Sequence, residues 1–480
     1  MRDLISDLAA RFTAAGHQLY LVGGTVRDAL LGRDATPDID MTTDATPDAI
    51  QRLVAATHPR AVVLVGERFG TVRLHYATAP APSGETPATA TLSAEAEEMT
   101  VAPDLIVEIT TFRSERYDPA SRKPEVIFGD RLEDDLLRRD FTINALAQAP
   151  QSGEIIDCFG GQADLAAGLI RAVGDDPDHR FAEDPLRMLR AVRFAAQLGF
   201  TIEERTEAAI RDQAATLEKI SKERIRDEFN KILVSPRPML GLRVTVNLGL
   251  MPYIVPEALE LRGVSQQPMP GHTKDVYEHV LRVVQNTPPR LSMRWAGLLH
   301  DIAKPRTRAI ENGQVHFFGH EDLGAVMARE ILKRLHFDRP FIDHISRLVK
   351  LHMRSNAYLS DWTDGAVRRL MLDAGDTLPD LLDLSRADIT SYRPDKVSRA
   401  VARVNELEER SRFLAEEALR VPIKSPLDGN ELMALFGRGP GVWLKPIKEH
   451  LLALVIDGQL APDDKVTAEA IARGLLNEQA

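Results

Sequence analysis

Leu19-Tyr20-Leu21-Val22-Gly23-Gly24-Thr25-Val26-Arg27-Asp28 and, ten residues further on, Asp38-Ile39-Asp40 decide how the first part of this chain folds. The apolar run Leu19 to Val22 predicts a strand, the glycine pair a turn, and Val26 to Leu31 a helix. A turn of this kind before a helix aims backbone N–H groups at an anion, and Gly24 lets the backbone come close to a triphosphate. Alternate side chains of a strand point the same way, so Asp38 and Asp40 can share metal ions while Ile39 packs behind them. Two Mg²⁺ ions held there would activate an RNA 3′-hydroxyl and neutralise charge on the attacked phosphate and the departing pyrophosphate. Taken singly, a Gly-Gly pair is usually only a turn and an Asp-x-Asp pair only a solvated loop. It is the order of strand, turn, helix, Pro37 and acidic pair that points to nucleotidyl transfer.

The surrounding chain, 480 residues with 44% apolar and 27% charged content, has the composition of an ordinary globular protein of three or four domains. A net charge of −11 argues against nucleic acid coating its whole length, yet leaves room for a local basic groove. Cys158, the single cysteine, can form neither an intrachain disulfide nor a cysteine-rich zinc site, which fits a reducing cytoplasm; its expected role is a small buried side chain. No apolar run approaches a membrane span, and Met1-Arg2-Asp3 leads into an acidic amphipathic pattern rather than a signal peptide. The expectation is a soluble, cytoplasmic protein.

Residues 1–148 mix strand-like runs at Ala61 to Val65, Gly70 to Tyr76 and Leu105 to Thr111 with helical ones, which predicts a small α/β head. Ala77 to Pro103, rich in Ala, Pro, Thr, Ser and Glu, reads as a flexible loop inserted into that sheet. From Asp164 onward strand signals nearly vanish and proline-punctuated helical patterns take over, so the remainder is expected to be essentially all-α. Pro268-Met269-Pro270-Gly271 marks a boundary before a histidine-bearing helical region that starts at His272.

Glu108 lies among apolar neighbours in Val107-Glu108-Ile109-Thr110-Thr111, where an unpaired carboxylate would be costly. A third metal-facing carboxylate explains it; an edge-strand glutamate facing water is the alternative. In Arg138-Arg139-Asp140-Phe141-Thr142-Ile143-Asn144-Ala145, Arg139 is the candidate for the triphosphate because a guanidinium binds two oxygens and stays charged, with Arg138 assisting or paired to Asp134 or Asp135. Glu183-Asp184-Pro185-Leu186-Arg187 opens a helix on which Asp184, Arg187 and Arg190 recur at intervals of three, followed by Arg193. A surface salt-bridge ladder would give the same pattern. Base chemistry offers a sharper reading: a carboxylate beside a guanidinium satisfies the amino donor and ring-nitrogen acceptor shared by cytosine and adenine. Uracil and guanine invert that pattern, so an Asp184/Arg187 pair would accept CTP and ATP and reject UTP and GTP.

These four motifs, in this order, resemble the motif set of the class II CCA-adding tRNA nucleotidyltransferase and bacterial poly(A) polymerase family over roughly residues 18–235. The resemblance implies an α+β fold, a polymerase β-like nucleotidyltransferase head followed by all-α neck, body and tail. It implies Mg²⁺ on Asp38 and Asp40, and nucleotide contacts from Gly23, Gly24, Arg27, Arg139, Asp184, Arg187, Arg190 and Arg193. The insertion at 77–103 departs from a compact head.

Beyond the neck, Lys222, Arg224 and Arg226 sit on a charged helical face that is either simply solvated or in contact with RNA phosphates. Further on, His279, the pair His300-Asp301, the stretch His316 to His320, and Asp388 resemble the HD phosphohydrolase domain, with Ala303 where many such domains have glycine. That resemblance implies His279, His300, Asp301 and Asp388 as ligands of a second divalent metal, with His320 close by. Pro426 to Leu432 and Gly437-Arg438-Gly439-Pro440-Gly441 are similar to the tail of CCA-adding enzymes that carry an HD domain, where the turn would meet tRNA or a helix-turn-helix unit would simply pack. The expected layout is a head at 1–148, a neck and body at 149–268, an HD region at 269–400 and a tail at 401–480.

The function implied is template-independent addition of C, C and A to the tRNA 3′ end from CTP and ATP, with auxiliary HD phosphohydrolase activity. Poly(A) polymerases and enzymes adding only CC or only A share every head motif. Readings from other classes are an HD metal phosphohydrolase with a relict head and a non-catalytic tRNA-binding protein.

Overall fold

The computed structural model describes residues 2–33, 38–65, 70–77, 105–116, 125–129, 131–266, 275–391, 393–420 and 423–477. They form two compact units, Met1–Lys219 and Ile220–Ala480. The expected loop at 77–103, apart from Ala77, and the boundary Pro268 to Gly271 lie outside the described residues, as do Pro37 and His272.

The first unit is built on a seven-stranded sheet: β1 (Leu19–Val22), β2 (Asp38–Thr43), β3 (Ala61–Val65), β4 (Thr71–Tyr76), β5 (Leu105–Thr111), β6 (Leu146–Gln148) and β7 (Ile155–Asp157). Their spatial order is β3-β4-β5-β2-β1-β6-β7. β2 runs parallel to β5, and the other neighbours pair antiparallel. The alternation that predicts these strands is physical: Ile39, Met41, Val72, Leu74, Val107 and Ile109 are buried on one face, leaving the residues between them for the other. The helix α1 (Gly24–Leu30) follows β1 directly, and α2 (Leu186–Leu198) buries Met188, Leu189, Val192, Phe194 and Ala195 before ending at Gly199 with φ 77°.

In the second unit, α3 (Lys222–Leu233) begins at the cap Ser221, whose hydroxyl accepts the Arg224 N–H. Next come α4 (Val276–Asn286), capped by Asp275, and α5 (Leu291–Leu299), which carries the fully buried Trp295. After them lie α6 (His320–Arg334), α7 (Arg339–Asn356), α8 (Leu378–Asp388) and the long α9 (Pro394–Arg420). The last three described helices, Gly429–Phe436, Leu444–Ile456 and Lys465–Asn477, share a core of Leu427, Leu432, Ile447, Leu451, Val455, Leu460, Ala468 and Ala472.

Strand does recur after Asp164. Leu169–Ile170 pairs in parallel with Thr201–Ile202, and Arg308–Glu311 forms a hairpin with Gln314–Phe317. The hairpin turns on Asn312 and Gly313 at φ 51° and 74°, the conformation for which an Asn-Gly pair is favoured. Cys158 is exposed rather than buried, because it follows β7 in the turn before the helix Gly161–Ala167 instead of entering the sheet core.

Candidate active site

The sheet register places the acidic residues side by side. Asp40 on β2 stands opposite Glu108 on β5, and Glu108 stands opposite Arg73 on β4. Arg73 Nε and Nη2 donate to the same Glu108 oxygen at 2.7 and 2.6 Å, so Glu108 is ion-paired as well as next to Asp40. The Asp40 N–H donates to the Thr25 hydroxyl at 3.1 Å, which ties the glycine turn to the acidic strand. Burial raises the Asp40 carboxyl above its ordinary range; Arg139 opposes that rise, while Glu108 and Asp38 add to it. Three carboxylates gathered on one surface, one of them held reluctant to ionise by burial and then by the other two, are a hard-oxygen donor set suited to a divalent cation.

Gly23, at φ 65°, is where Arg139 and Asp40 come close to the glycine turn. A Cβ there would lie 3.0 Å from Arg139 Nη1 and 3.9 Å from Asp40 Oδ2. Arg139 Nη2 donates to the buried Asp135 at 3.2 Å, and Asp135 also accepts from the Thr42 hydroxyl. Buried Asp135, not half-buried Asp134, is thus the carboxylate beside both arginines, with Arg138 Nη1 at 3.9 Å. The Nε of Arg139 is buried, and among the described residues no acceptor reaches it. A second group of cations gathers around Phe194, with the guanidiniums of Arg27, Arg190 and Arg193 at 5.1, 5.6 and 4.5 Å from the ring centroid. Arg27 donates to Asn144 at 2.7 Å; Asn144 donates to Asp140 at 2.9 Å; Arg190 Nε donates to Asp140 at 2.7 Å. Asp184 accepts the Leu186 N–H at the start of α2, and Arg187 donates to Glu183 and to the carbonyls of Arg180 and Arg138. Arg73 and Phe194 went unread in the sequence, and Asp135 was read only as a partner of Arg138, not of Arg139; the signals were an arginine at the strand period opposite Glu108, an aromatic at i+4 from Arg190, and an acid one turn before Arg139.

In the second unit, His279, His300, Asp301, His320, His352 and Asp388 form one cluster. Asp301 Oδ2 lies 3.4 Å from His279 Nε2 and 3.2 Å from His300 Nε2, and Asp388 Oδ1 lies 2.9 Å from His279 Nε2. Asp301 Oδ1 faces the other pair, 3.5 Å from His320 Nε2 and 3.7 Å from His352 Nε2. The groups His279–His300–Asp301 and Asp301–His320–His352 could each hold a metal ion. The Nδ1 atoms of His300, His320 and His352 lie 2.8, 2.7 and 2.6 Å from backbone carbonyls, so as donors there they turn the Nε2 lone pairs inward. His279 Nε2 and His300 Nε2 stand 3.2 Å apart, a separation that two facing lone pairs tolerate only with a proton or a cation between them. Burial, reinforced by His300, lowers His352 to about 4, which keeps that imidazole neutral at pH 7. Burial alone would lower His300 too, but Asp301 and Asp388 outweigh it and hold it above its ordinary value. Asp301 Oδ1 is buried with no hydrogen bond among the described residues, which a bound cation would remedy. Lys304 donates to Asp301 Oδ2 at 2.7 Å. His316 stands outside the cluster, stacked on Phe318. His352 was not read from the sequence, since one histidine in the amphipathic α7 looks like any other core residue.

Three family descriptions match along the chain: the poly A polymerase head domain at residues 19–171, the probable RNA and SrmB-binding site of polymerase A at 199–261, and the HD domain at 271–393. A CCA-adding enzyme from Geobacillus sp. (strain WCH70) is 30% identical over 453 residues, which is 93% of this chain and 90% of that one. The chain belongs to the tRNA nucleotidyltransferase and poly(A) polymerase family. An A-adding tRNA nucleotidyltransferase from Deinococcus radiodurans is 37% identical over 323 residues, covering 65% of this chain and 72% of its own. The crystal structure of the Bacillus stearothermophilus CCA-adding enzyme in complex with CTP superposes with a TM-score of 0.65 at 25% identity, covering 98% of this chain and 97% of that one.

This family member is accordingly a nucleotidyltransferase-type enzyme with an α+β head, followed by a mostly helical region that includes an HD domain. Its candidate RNA-contacting residues fall within the 199–261 match, on α3. There Lys222 donates to the Tyr253 carbonyl at 3.2 Å, and Arg226 binds Asp227 and covers the Phe337 ring at 5.4 Å. Among the described residues no helix is long and apolar enough to cross a membrane.

Proposed function

We propose that the chain extends the 3′ end of tRNA stepwise with C, C and A from CTP and ATP, without a nucleic-acid template, releasing pyrophosphate. The observation that carries this reading is the convergence of Asp40 and Arg139 on the Gly23 turn, with Glu108 beside Asp40 in the sheet register, a carboxylate group and a triphosphate-binding guanidinium in one part of the sheet. Asp38, Asp40 and Glu108 would hold Mg²⁺, which when bound supplies Lewis acidity to the attacking hydroxyl and to the phosphate oxygens. Arg139, fixed by Asp135, and Arg27, fixed by Asn144 and Asp28, bind the triphosphate and orient it for in-line attack. Arg73 holds Glu108 in place beside Asp40.

Asp184 and Arg187 read the base edge, Arg187 exchanging one of its present acceptors for the ring nitrogen of C or A. Arg190 and Arg193 flank the nucleotide through Phe194, and Gly24 gives backbone access to the phosphates. Lys222, Arg224 and Arg226 line the approach of the tRNA backbone. Functionally we assign residues 1–148 to the head, 149–268 to the neck and body, 269–400 to the HD region and 401–480 to a tRNA-contacting tail, in an enzyme working in the cytoplasm. Incorporation of labelled CMP and AMP into tRNA lacking its CCA end tests this: Asp38→Ala should abolish it and His300→Ala should spare it, and the reverse outcome would overturn the reading. AMP-only or poly(A) products would assign the chain to the A-adding or poly(A) branch instead.

A second reading has its own support in the two-sided use of Asp301. Its Oδ2 joins His279, His300 and Asp388 around one cation position, and its Oδ1 joins His320 and His352 around another. Imidazoles mixed with carboxylates suit a transition metal, which when bound supplies activated water for hydrolysis of a phosphate ester.

A further inference from the structure

The cleft over His279 and Asp388 has a volume of 460 Å³, and one of its walls is α9, all of which lies beyond the residues 271–393 matched by the HD domain. Lys396, Ala400 and Arg403 line it, a spacing of four and three residues that puts all three on one face of α9. Between them on the helix, Arg399 is bound to Asp395 instead. Arg282 lines the cleft from α4, one turn after His279. A smaller recess of 110 Å³ also meets Asp388, Ala400 and Arg403, with Asn356 and Tyr358 in its lining, so Arg403 borders both hollows.

The acids in the same lining are already engaged. Asp275 caps α4 through the Tyr277 and Glu278 N–H groups, Glu278 is paired with Arg243, and Asp388 belongs to the cluster with His279. Cations arrayed beside a centre built to hold further positive charge repel it unless an anion enters between them. A single phosphate seated over the cluster leaves unused the α9 wall of the cleft, where Lys396 and Arg403 stand seven residues, or about 10 Å, apart along the helix and can flank one further anion between their long side chains. The ligand that uses both ends of this wall carries a second phosphate.

We propose that α9 is the substrate-recognition wall of the HD centre, and that the centre takes a nucleotide phosphate ester whose second phosphate is held by Lys396 and Arg403. This rests on the metal-centre reading of the cluster given above. The same chemistry is presented by the phosphorylated end of an RNA strand and by a free nucleoside bisphosphate. It also gives the helix a role beyond packing: Ala400, between the two cations, leaves the width that a larger side chain would fill.

Calorimetric titration of the metal-loaded full chain with inorganic phosphate, adenosine 3′,5′-bisphosphate and an RNA trinucleotide ending in a 3′-phosphate tests the wall. The double variant Lys396→Ala/Arg403→Ala should weaken bisphosphate or trinucleotide binding by about tenfold or more and change phosphate binding less than twofold, while Arg399→Ala binds as wild type and Arg403→Lys restores part of the loss. A loss confined to the trinucleotide identifies an RNA end; a loss shared with the bisphosphate identifies the smaller nucleotide as sufficient. Equal weakening of all three ligands, or none for either two-phosphate ligand, would overturn the assignment. Metal content separates the two levels: a failed wall leaves it unchanged, whereas a wild-type chain retaining no more divalent cation than His300→Ala/Asp301→Asn would remove the metal-centre reading itself.

Discussion

Gly23 and Arg139 are packed so closely that a single added carbon would bring them into conflict: a Cβ on Gly23 would stand 3.0 Å from Arg139 Nη1. Gly23 also adopts φ 65° with ψ −131°, a region that costs other residues about 1–3 kcal/mol. Gly23→Ala is therefore expected to displace Arg139 and lower kcat/KM for nucleotide addition by about tenfold to a hundredfold, with the melting temperature falling only modestly. Steady-state kinetics beside a thermal melt check this. Wild-type kinetics in the variant would mean that the close approach is incidental.

Selection of the base is assigned to Asp184 and Arg187. Arg187→Ala should reduce the preference for CTP over UTP by about tenfold to a hundredfold, the range of one good bidentate contact, whatever it does to the absolute rate. Single-nucleotide competition assays read the ratio directly. An unchanged ratio would return the Asp184, Arg187, Arg190 series to a helix-surface role.

Asp140 makes the head sensitive to acid. Burial alone would raise its carboxyl, but Arg190, Asn144 and the Phe141 N–H outweigh it and hold it below the ordinary carboxylate value. A carboxyl depressed in the folded state contributes stability that is present above its unfolded pKa of about 3.9 and lost as pH falls through the folded value. Asp140→Asn should cost about 1.5–3 kcal/mol at neutral pH, as loss of a hydrogen bond to a charged group does, and should flatten the fall in stability below about pH 4. Denaturant melts at several pH values would show parallel curves if Asp140 were irrelevant.

The cluster around Asp301 predicts a metal count. In a chain carrying Asp38→Ala and Asp40→Ala, elemental analysis should find two divalent cations, and adding His352→Ala should remove one of them while leaving the other on His279, His300, Asp301 and Asp388. A count that His352→Ala leaves unchanged would place both imidazoles of the second group in the core as ordinary buried histidines.

Much of this architecture is legible in the sequence because the relevant signals are local. The alternation in Asp38-Ile39-Asp40-Met41 and in Val107-Glu108-Ile109 sets both which strands form and which face their acids share. What the sequence leaves unsaid depends on pairing between distant segments. Arg73 meets Glu108 only through the antiparallel register of β4 with β5, and Phe194 gathers Arg27 only because α2 packs near α1. His352 is inward-facing in α7, but its neighbours His320 and Asp301 come from another helix and from the turn after α5, so its period alone cannot distinguish it from a core residue. The hairpin at Arg308–Phe317 was hidden for the opposite reason: two strands of four residues are too short to register against the helical pattern around them.

The head is proposed to extend the tRNA 3′ end in a fixed order and without a template. The most direct test of this is to offer a tRNA that ends just before the CCA each nucleoside triphosphate alone and then CTP with ATP, resolving the products at single-nucleotide length. CTP alone should add two residues and CTP with ATP three and no more, UTP and GTP should add none, and Asp38→Ala should add none under any condition. A chain that fails to incorporate CMP, or that runs on past the first AMP, would contradict the proposal.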